Sequence, residues 1–276
     1  MTNDDFYVRF WGVRGSMPCP GVATERYGGN TSCLEIRCGG RLIILDGGTG
    51  LRPFDRALAA DGPLDADMFF SHAHLDHICG WPFFTSLLRP QSSLTVSAGH
   101  LLPDHTIEQV LAGLLRDPFT PVRPDRVRAR ITYHDFHAGE TLEPRPGIRL
   151  RTAPLNHPQG ATGYRVEYGG RAICYLTDTE HVPGAADRNI LGLIAGADML
   201  IYDSTYTDEE FPGYVNWGHS TWQEGVRLCD AAGVKTFVVF HHEPDHGDDF
   251  MDRVAADVER ARPGSVVARE GMTLRP

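Results

Sequence analysis

The sequence predicts an α/β fold of two mixed β-sheets packed face to face with helices on the outer faces, an αββα sandwich spanning 1–276 as a single domain. Three observations predict it. Strand-like and helix-like runs alternate in two successive blocks, as they do when sheets are covered by helices. Each block begins with strands that turn at a Gly-Gly pair, Gly39-Gly40 in the first and Gly169-Gly170 in the second. A chain of 276 residues that is 41% hydrophobic can bury one large core. The hairpins also echo each other: Gly39-Gly40-Arg41 leads to Asp46 as Gly169-Gly170-Arg171 leads to Asp178, a short sign of internal duplication.

Along the chain, Phe6 to Trp11 alternates like a strand, and Gly12, Gly15, Pro18, Pro20 and Gly21 mark an irregular loop. Cys33 to Cys38 and Arg41 to Leu45 form the first hairpin, followed by the glycine-rich Asp46-Gly-Gly-Thr-Gly50. Glycines there suit a backbone approaching a ligand or another strand. Leu51 to Ala60 reads as a helix, Asp67 to Phe70 as a buried strand, and Trp81 to Leu88 as a helix with Pro82 in its first turn. Leu94 to Ser97 is strand-like, and Asp104 to Arg116 has a helical period capped by Asp104. Pro118 to Arg130, with four arginines, reads as a solvated loop and edge strand.

In the second block, Ile148 to Ala153 is a strand, and Thr162 to Tyr168 with Arg171 to Leu176 is the second hairpin. Asp187 to Ala195 is a helix, and Met199 to Tyr202 a buried strand. Thr221 to Ala232 is a helix capped by Ser220, Lys235 to Phe240 a strand, Asp248 to Arg262 a helix, and Val266 to Ala268 a terminal strand.

Charge and composition exclude several roles. A net charge of −10 discourages broad binding to nucleic acid or anionic membranes, while a small anionic substrate stays compatible with bound cations. The six cysteines show no CxxC pairing and fit small apolar packing in a reducing compartment. No secretory signal or membrane span is evident, so a cytoplasmic location is expected.

The chemistry concentrates in Ser71-His-Ala-His-Leu-Asp-His-Ile-Cys-Gly80. Residues two apart in an extended segment point the same way, so His72 and His74 can converge on one ion. Asp76 and His77 follow as the chain turns and can address a second. Such nitrogen and carboxylate donors suit zinc, with iron or manganese as rivals. Further candidates, His157, Asp178 and His241, each follow a strand-like run.

In this order the set resembles the metallo-β-lactamase fold superfamily over nearly the whole chain. The resemblance implies two divalent metal ions: His72, His74 and His157 on one, Asp76, His77 and His241 on the other, with Asp178 bridging. It leaves open whether His242 rather than His241 is the last ligand. Gly218-His219-Ser220-Thr221 resembles an element of tRNase Z and related phosphodiesterases, and Asp178-Thr179 and Asp203-Ser-Thr205 resemble two others, each with one substitution. Gly12-Val-Arg-Gly-Ser16 and Tyr27-Gly-Gly-Asn-Thr-Ser-Cys33 are similar to a bacterial cyclic-phosphodiesterase-like subgroup.

The expected activity is therefore hydrolysis of small, including cyclic, nucleotide phosphodiesters by a metal-bridging hydroxide. Asp76, His219 and Asp203 form the expected catalytic set, His219 serving as general acid oriented by Asp203. The alternatives are a tRNA 3′-end endonuclease and a metal-dependent lactone or thioester hydrolase. Asn30, Trp81 and Trp217 are candidate substrate-binding residues, the tryptophans as stacking faces for a base. Phe83 and Phe84 are expected in the core. His242, Asp245 and His246 form a cluster beside the site without an assigned role. Relatives commonly form homodimers; nothing in this sequence decides that state.

Overall fold

The computed structural model describes residues 6–58, 62–118, 120 and 123–276. Its first sheet contains β1 (Phe6–Gly12), β2 (Cys33–Cys38), β3 (Arg41–Leu45), β4 (Asp65–Phe70), β5 (Ser93–Ala98), β6 (Arg130–Asp135) and, from the chain's end, β14 (Thr273–Leu274). The second contains β7 (Thr141–Arg145), β8 (Ile148–Leu155), β9 (Ala161–Tyr168), β10 (Arg171–Leu176), β11 (Met199–Asp203), β12 (Thr236–Phe240) and β13 (Val266–Val267). The orders are β14-β1-β2-β3-β4-β5-β6 and β13-β12-β11-β10-β9-β8-β7. Both sheets are mixed: β3 to β6 run parallel, as do β10 to β13, and the remaining neighbours are antiparallel.

Alternation along each strand builds three apolar layers. Ile43, Leu45 and Phe69 of the first sheet meet Ile173, Tyr175, Ile201 and Phe240 of the second in one inner core. Leu42, Ile44, Met68 and Phe70 point the other way, onto α1 (Leu51–Leu58) and α3 (Ile107–Leu114). Cys174, Leu200, Tyr202 and Phe237 likewise meet α4 (Arg188–Ile194), α5 (Trp222–Ala232) and α6 (Asp248–Ala261). Because β3 is apolar on both faces, pattern alone does not fix its register. The Gly39-Gly40 turn sets the pairing Cys38 with Arg41, as Gly169-Gly170 sets Tyr168 with Arg171.

Several expectations change in detail. Trp81 to Leu88 is two short 3₁₀ turns, Trp81–Phe83 and Thr85–Leu88, separated by extended Phe84. The Asp55 carboxylate accepts from the Thr85 and Ser86 backbone N–H groups and hydroxyls, pinning the second turn. The cap of α3 is Thr106, in a capping box with Gln109, rather than Asp104. Thr221, not Ser220, caps α5, because the Ser220 hydroxyl is held by Tyr202 and His181. Ala59 and Ala60 of the first expected helix lie outside the described residues, as do positions 119, 121 and 122 of the arginine-rich stretch. That stretch leads into β6, an edge strand, with Arg123, Arg126, Arg128 and Arg130 exposed. All six cysteines are free thiols. Among the described residues no helix is long and apolar enough to cross a membrane.

Candidate metal centre

Parallel strands place their carboxyl ends along one edge, where α/β sheets characteristically hold their ligands. His72 follows β4, His157 follows β8, Asp178 follows β10, Asp203 ends β11, and His241 follows β12. His74 precedes α2 (Leu75–Ile78), whose single turn carries Asp76 and His77. Among the described residues four overlapping donor groups result, each with its atoms within 4.8 Å of one another: the two expected, His72, His74 and His157 in one and Asp76, His77, Asp178 and His241 in the other, and two that include His219, with His157 and Asp178 and with Asp203 and His241.

Asp178 stands between the two expected groups. Its Oδ1 lies 3.6 Å from His72 Nε2 and 3.8 Å from His157 Nε2, while its Oδ2 lies 3.2 Å from both His77 Nε2 and His241 Nε2. Asp76 Oδ2 is 3.1 Å from His77 Nε2 and 3.4 Å from His241 Nε2. His74 Nδ1 lies 3.1 Å from His157 Nε2.

The far nitrogens explain why these rings face inward. His77 Nδ1 donates to Asp46 Oδ2 at 2.8 Å, and His157 Nδ1 donates to the Gly218 carbonyl at 2.8 Å. His74 Nε2 donates to Gln159 Oε1 at 2.9 Å. His72 Nδ1 meets Ser71 Oγ at 3.1 Å, and His241 Nδ1 meets Thr205 Oγ1 at 3.0 Å. Those hydroxyls donate onward, Ser71 to Asp46 and Thr205 to Asp203. Each outer nitrogen thus carries the hydrogen, and each inner nitrogen presents a lone pair. Correspondingly, Nε2 of His72, His77 and His241 is buried without a hydrogen-bond partner. Buried polar atoms normally find partners, so converging lone pairs beside two carboxylates fit divalent cations.

Electrostatics and strain mark the same place. With no cation bound, burial works to raise the Asp178 carboxyl, but attraction to the His241, His77 and His72 rings in their protonated forms overrides it and holds it well below the usual carboxylate range. Asp46, Asp178 and His241 adopt φ values of 60°, 59° and 62°, a costly conformation for residues with side chains. It turns each one sharply off its strand. The Asp46-Gly-Gly loop approaches backbone, not a ligand: a Cβ on Gly48 would sit 2.1 Å from the Asp76 carbonyl.

His219 stands beside this cluster, its Nδ1 3.0 Å from Asp203 Oδ2 and 3.8 Å from Asp178 Oδ1. Asp203 is itself fixed by the Thr179 and Thr205 N–H groups and the Thr205 hydroxyl. Burial lowers the His219 pKa, but Asp203, with Asp178 and Asp76, outweighs it and raises the ring to about 9.

The expected substrate-binding residues separate. Trp81 is fully buried in the outer core of the first sheet and offers no stacking face, because the 3₁₀ turn aims it inward. Asn30 is committed elsewhere: its side-chain amide and its backbone N–H donate to Glu270, and its backbone carbonyl accepts from the Val13 and Arg14 N–H groups. Trp217 is 62% exposed, edge-on to Tyr214, which stacks on Tyr206 beside His219. Phe84 is buried, but Phe83 is exposed, contrary to its expected place in the core. His242 points away from the cluster and donates to the Ala268 carbonyl, leaving His241 as the candidate ligand. His246 pairs with Glu210 and stacks on Phe250.

Residues 41–242 match the family model for the beta-lactamase superfamily domain. The chain belongs to the beta-lactamase superfamily. It has the metallo-β-lactamase fold and is a hydrolase of that family. Ribonuclease Z of Bradyrhizobium sp. (strain ORS 278) is 26% identical over 310 residues, covering 96% of this chain and 98% of that one. Among solved structures, the metallo-beta-lactamase fold protein YhfI from Bacillus subtilis matches with a TM-score of 0.72 at 17% identity, covering 98% of both chains. A diphosphatase from the PhnP family matches with a TM-score of 0.70 at 20% identity, covering 98% of this chain and 97% of that one. The family's habitual divalent metals agree with the donor cluster.

Proposed function

We propose that this hydrolase is a dinuclear-metal phosphodiesterase whose substrate is an RNA 3′-end phosphodiester. The observation that carries the phosphodiesterase reading is His219, held by Asp203 at 3.0 Å beside the two expected donor groups. Phosphodiester cleavage expels an alkoxide, and a positioned acid protonates it as the bond breaks. A thioester, by contrast, releases a thiolate that departs without one. The RNA assignment is supported by curated relatives named ribonuclease Z that align with 96% of the chain.

His72, His74 and His157 would hold one ion and Asp76, His77 and His241 the other, with Asp178 shared; zinc suits the donors best, with manganese or iron as alternatives. When bound, the pair supplies an acidified water and stabilises charge on the phosphoryl oxygens. The protein's own residues do the rest. Asp203 keeps hydrogen on His219 Nδ1 and favours the imidazolium, which gives its other proton to the leaving oxygen. Thr205 joins Asp203 to His241, so acid and ligand share one support.

A second reading, a small or cyclic nucleotide phosphodiester, is favoured by two observations. The net charge is −10, and an alignment of 310 residues against a chain of 276 means that the relative carries segments this chain lacks. The deciding experiment assays zinc- or manganese-loaded protein on bis(p-nitrophenyl) phosphate, a tRNA precursor with a 3′ trailer, cyclic nucleotides, an ester and a lactone. Diester hydrolysis with trailer removal is expected. Cleavage of small diesters alone selects the second reading, and cleavage of only the ester or lactone removes the phosphodiesterase.

A further inference from the structure

Three loops must be in register for the site to form: those carrying His157, Asp178 and His219. Glu180 touches all three. Its backbone N–H donates to the Asn156 carbonyl at 2.8 Å, and its carbonyl accepts from the Asn156 amide at 2.8 Å. Its carboxylate is used on both oxygens, Oε1 accepting from Asn216 N at 3.0 Å and Oε2 from Gly218 N at 2.8 Å. Asn156 adjoins His157, Gly218 adjoins His219, and Glu180 is two residues past Asp178.

The captured backbone is left-handed. Asn216 and Gly218 have φ values of 73° and 84°, and the Gly218 carbonyl accepts the hydrogen of His157 Nδ1 at 2.8 Å. A Cβ on Gly218 would lie 2.4 Å from that nitrogen, so the contact has no slack. We infer that Glu180 is a positioning residue: by clamping the 216–218 backbone it fixes the His157 ring toward the His72–His74 group and sets His219 over the site. It touches neither a candidate ligand's ring nor the reacting atoms, and acts through the two amides.

The inference rests on the dinuclear reading, and the test separates the two. Glu180→Gln keeps the volume but offers one acceptor where two amides need one each; Glu180→Asp keeps the charge but shortens the reach. Zinc content and release to a competing chelator are measured for both variants and the wild type, with thermal unfolding of the metal-free proteins alongside. Expected is selective loss: one equivalent of zinc is released at about tenfold lower chelator, the second is retained as in the wild type, and metal-free unfolding is unchanged. Where the wild type cleaves diesters, Glu180→Gln loses about tenfold more rate on an alcohol leaving group than on p-nitrophenol, which needs no acid. Wild-type retention of both ions, simultaneous loss of both, or failure to fold would each overturn the positioning role. A wild-type protein that takes up fewer than two zinc ions refutes the dinuclear reading instead.

Discussion

His219 lies between two opposed influences, burial that disfavours its charge and the Asp203 carboxylate that supports it, and the carboxylate prevails to give a pKa of about 9. Bound cations would lower that value but leave Asp203 as the largest favourable partner. An acid must be protonated to act, so the rate on an alcohol leaving group should hold level below the His219 pKa and fall above it. Asp203→Asn removes the attraction, so this alkaline limb should move toward acid by at least about one unit, with kcat above it down by at least about tenfold. Hydrolysis of bis(p-nitrophenyl) phosphate is the control and should change little. An unmoved limb in pH–rate profiles would detach Asp203 from the acid. At this scale the sequence was informative about chemistry and silent about support. Three histidines and an aspartate within six positions announce themselves, but Asp46 reaches His77 from 31 residues away and Tyr175 reaches Asp46 from 129, distances no local pattern encodes. Trp81 was misread for a related reason: whether an aromatic beside a turn faces in or out depends on that turn being 3₁₀ or α.

At the scale of elements, β12 shows how a strand end divides two neighbours between different tasks. His241 leaves the strand at φ 62° and enters the donor cluster, whereas His242 turns into the protein, donates to Ala268 and lies with its ring edge-on to Tyr27. Burial, reinforced by nearby Arg14, drives the His242 pKa down to about 3. Its folded value therefore lies below the unfolded value of roughly 6.5, so the unfolded chain takes up the proton first as the solution is acidified. The stabilising contribution is complete above about pH 6.5 and lost as pH falls from there toward 3. Chemical denaturation of metal-free protein should show a shallower fall in stability across that window for His242→Gln than for the wild type. Equal slopes would mean that other groups control acid unfolding. The long elements were legible because they are apolar and periodic. β7 and β14 were not: both are edge strands with mostly partial burial and no clean alternation.

The whole molecule repeats one device. In each sheet a Gly-Gly hairpin leads through a strand to an aspartate at φ near 60°, Asp46 in one and Asp178 in the other, and parallel strands follow. The faint echo in the sequence matches this arrangement, and the candidate centre lies where the two carboxyl edges meet. That geometry bears on the substrate. The exposed arginines 123, 126 and 128 precede β6 and Arg130 opens it, whereas the centre lies at the opposite, carboxyl ends of its parallel neighbours. Six strand residues span roughly 20 Å, so a phosphodiester bound at the centre is about one strand length from that basic stretch. Arg123 is also engaged with Asp125, and Arg130 with Ser93. Arg126→Ala with Arg128→Ala should therefore leave both bis(p-nitrophenyl) phosphate and tRNA-precursor cleavage unchanged from 50 to 200 mM salt. Each phosphate contact contributes close to one to the slope of log affinity against log salt, so a fall of about two in the tRNA slope alone would show RNA running down the edge of the first sheet. An unchanged slope would assign the precursor's recognition to groups near the centre and leave the arginines in solvent.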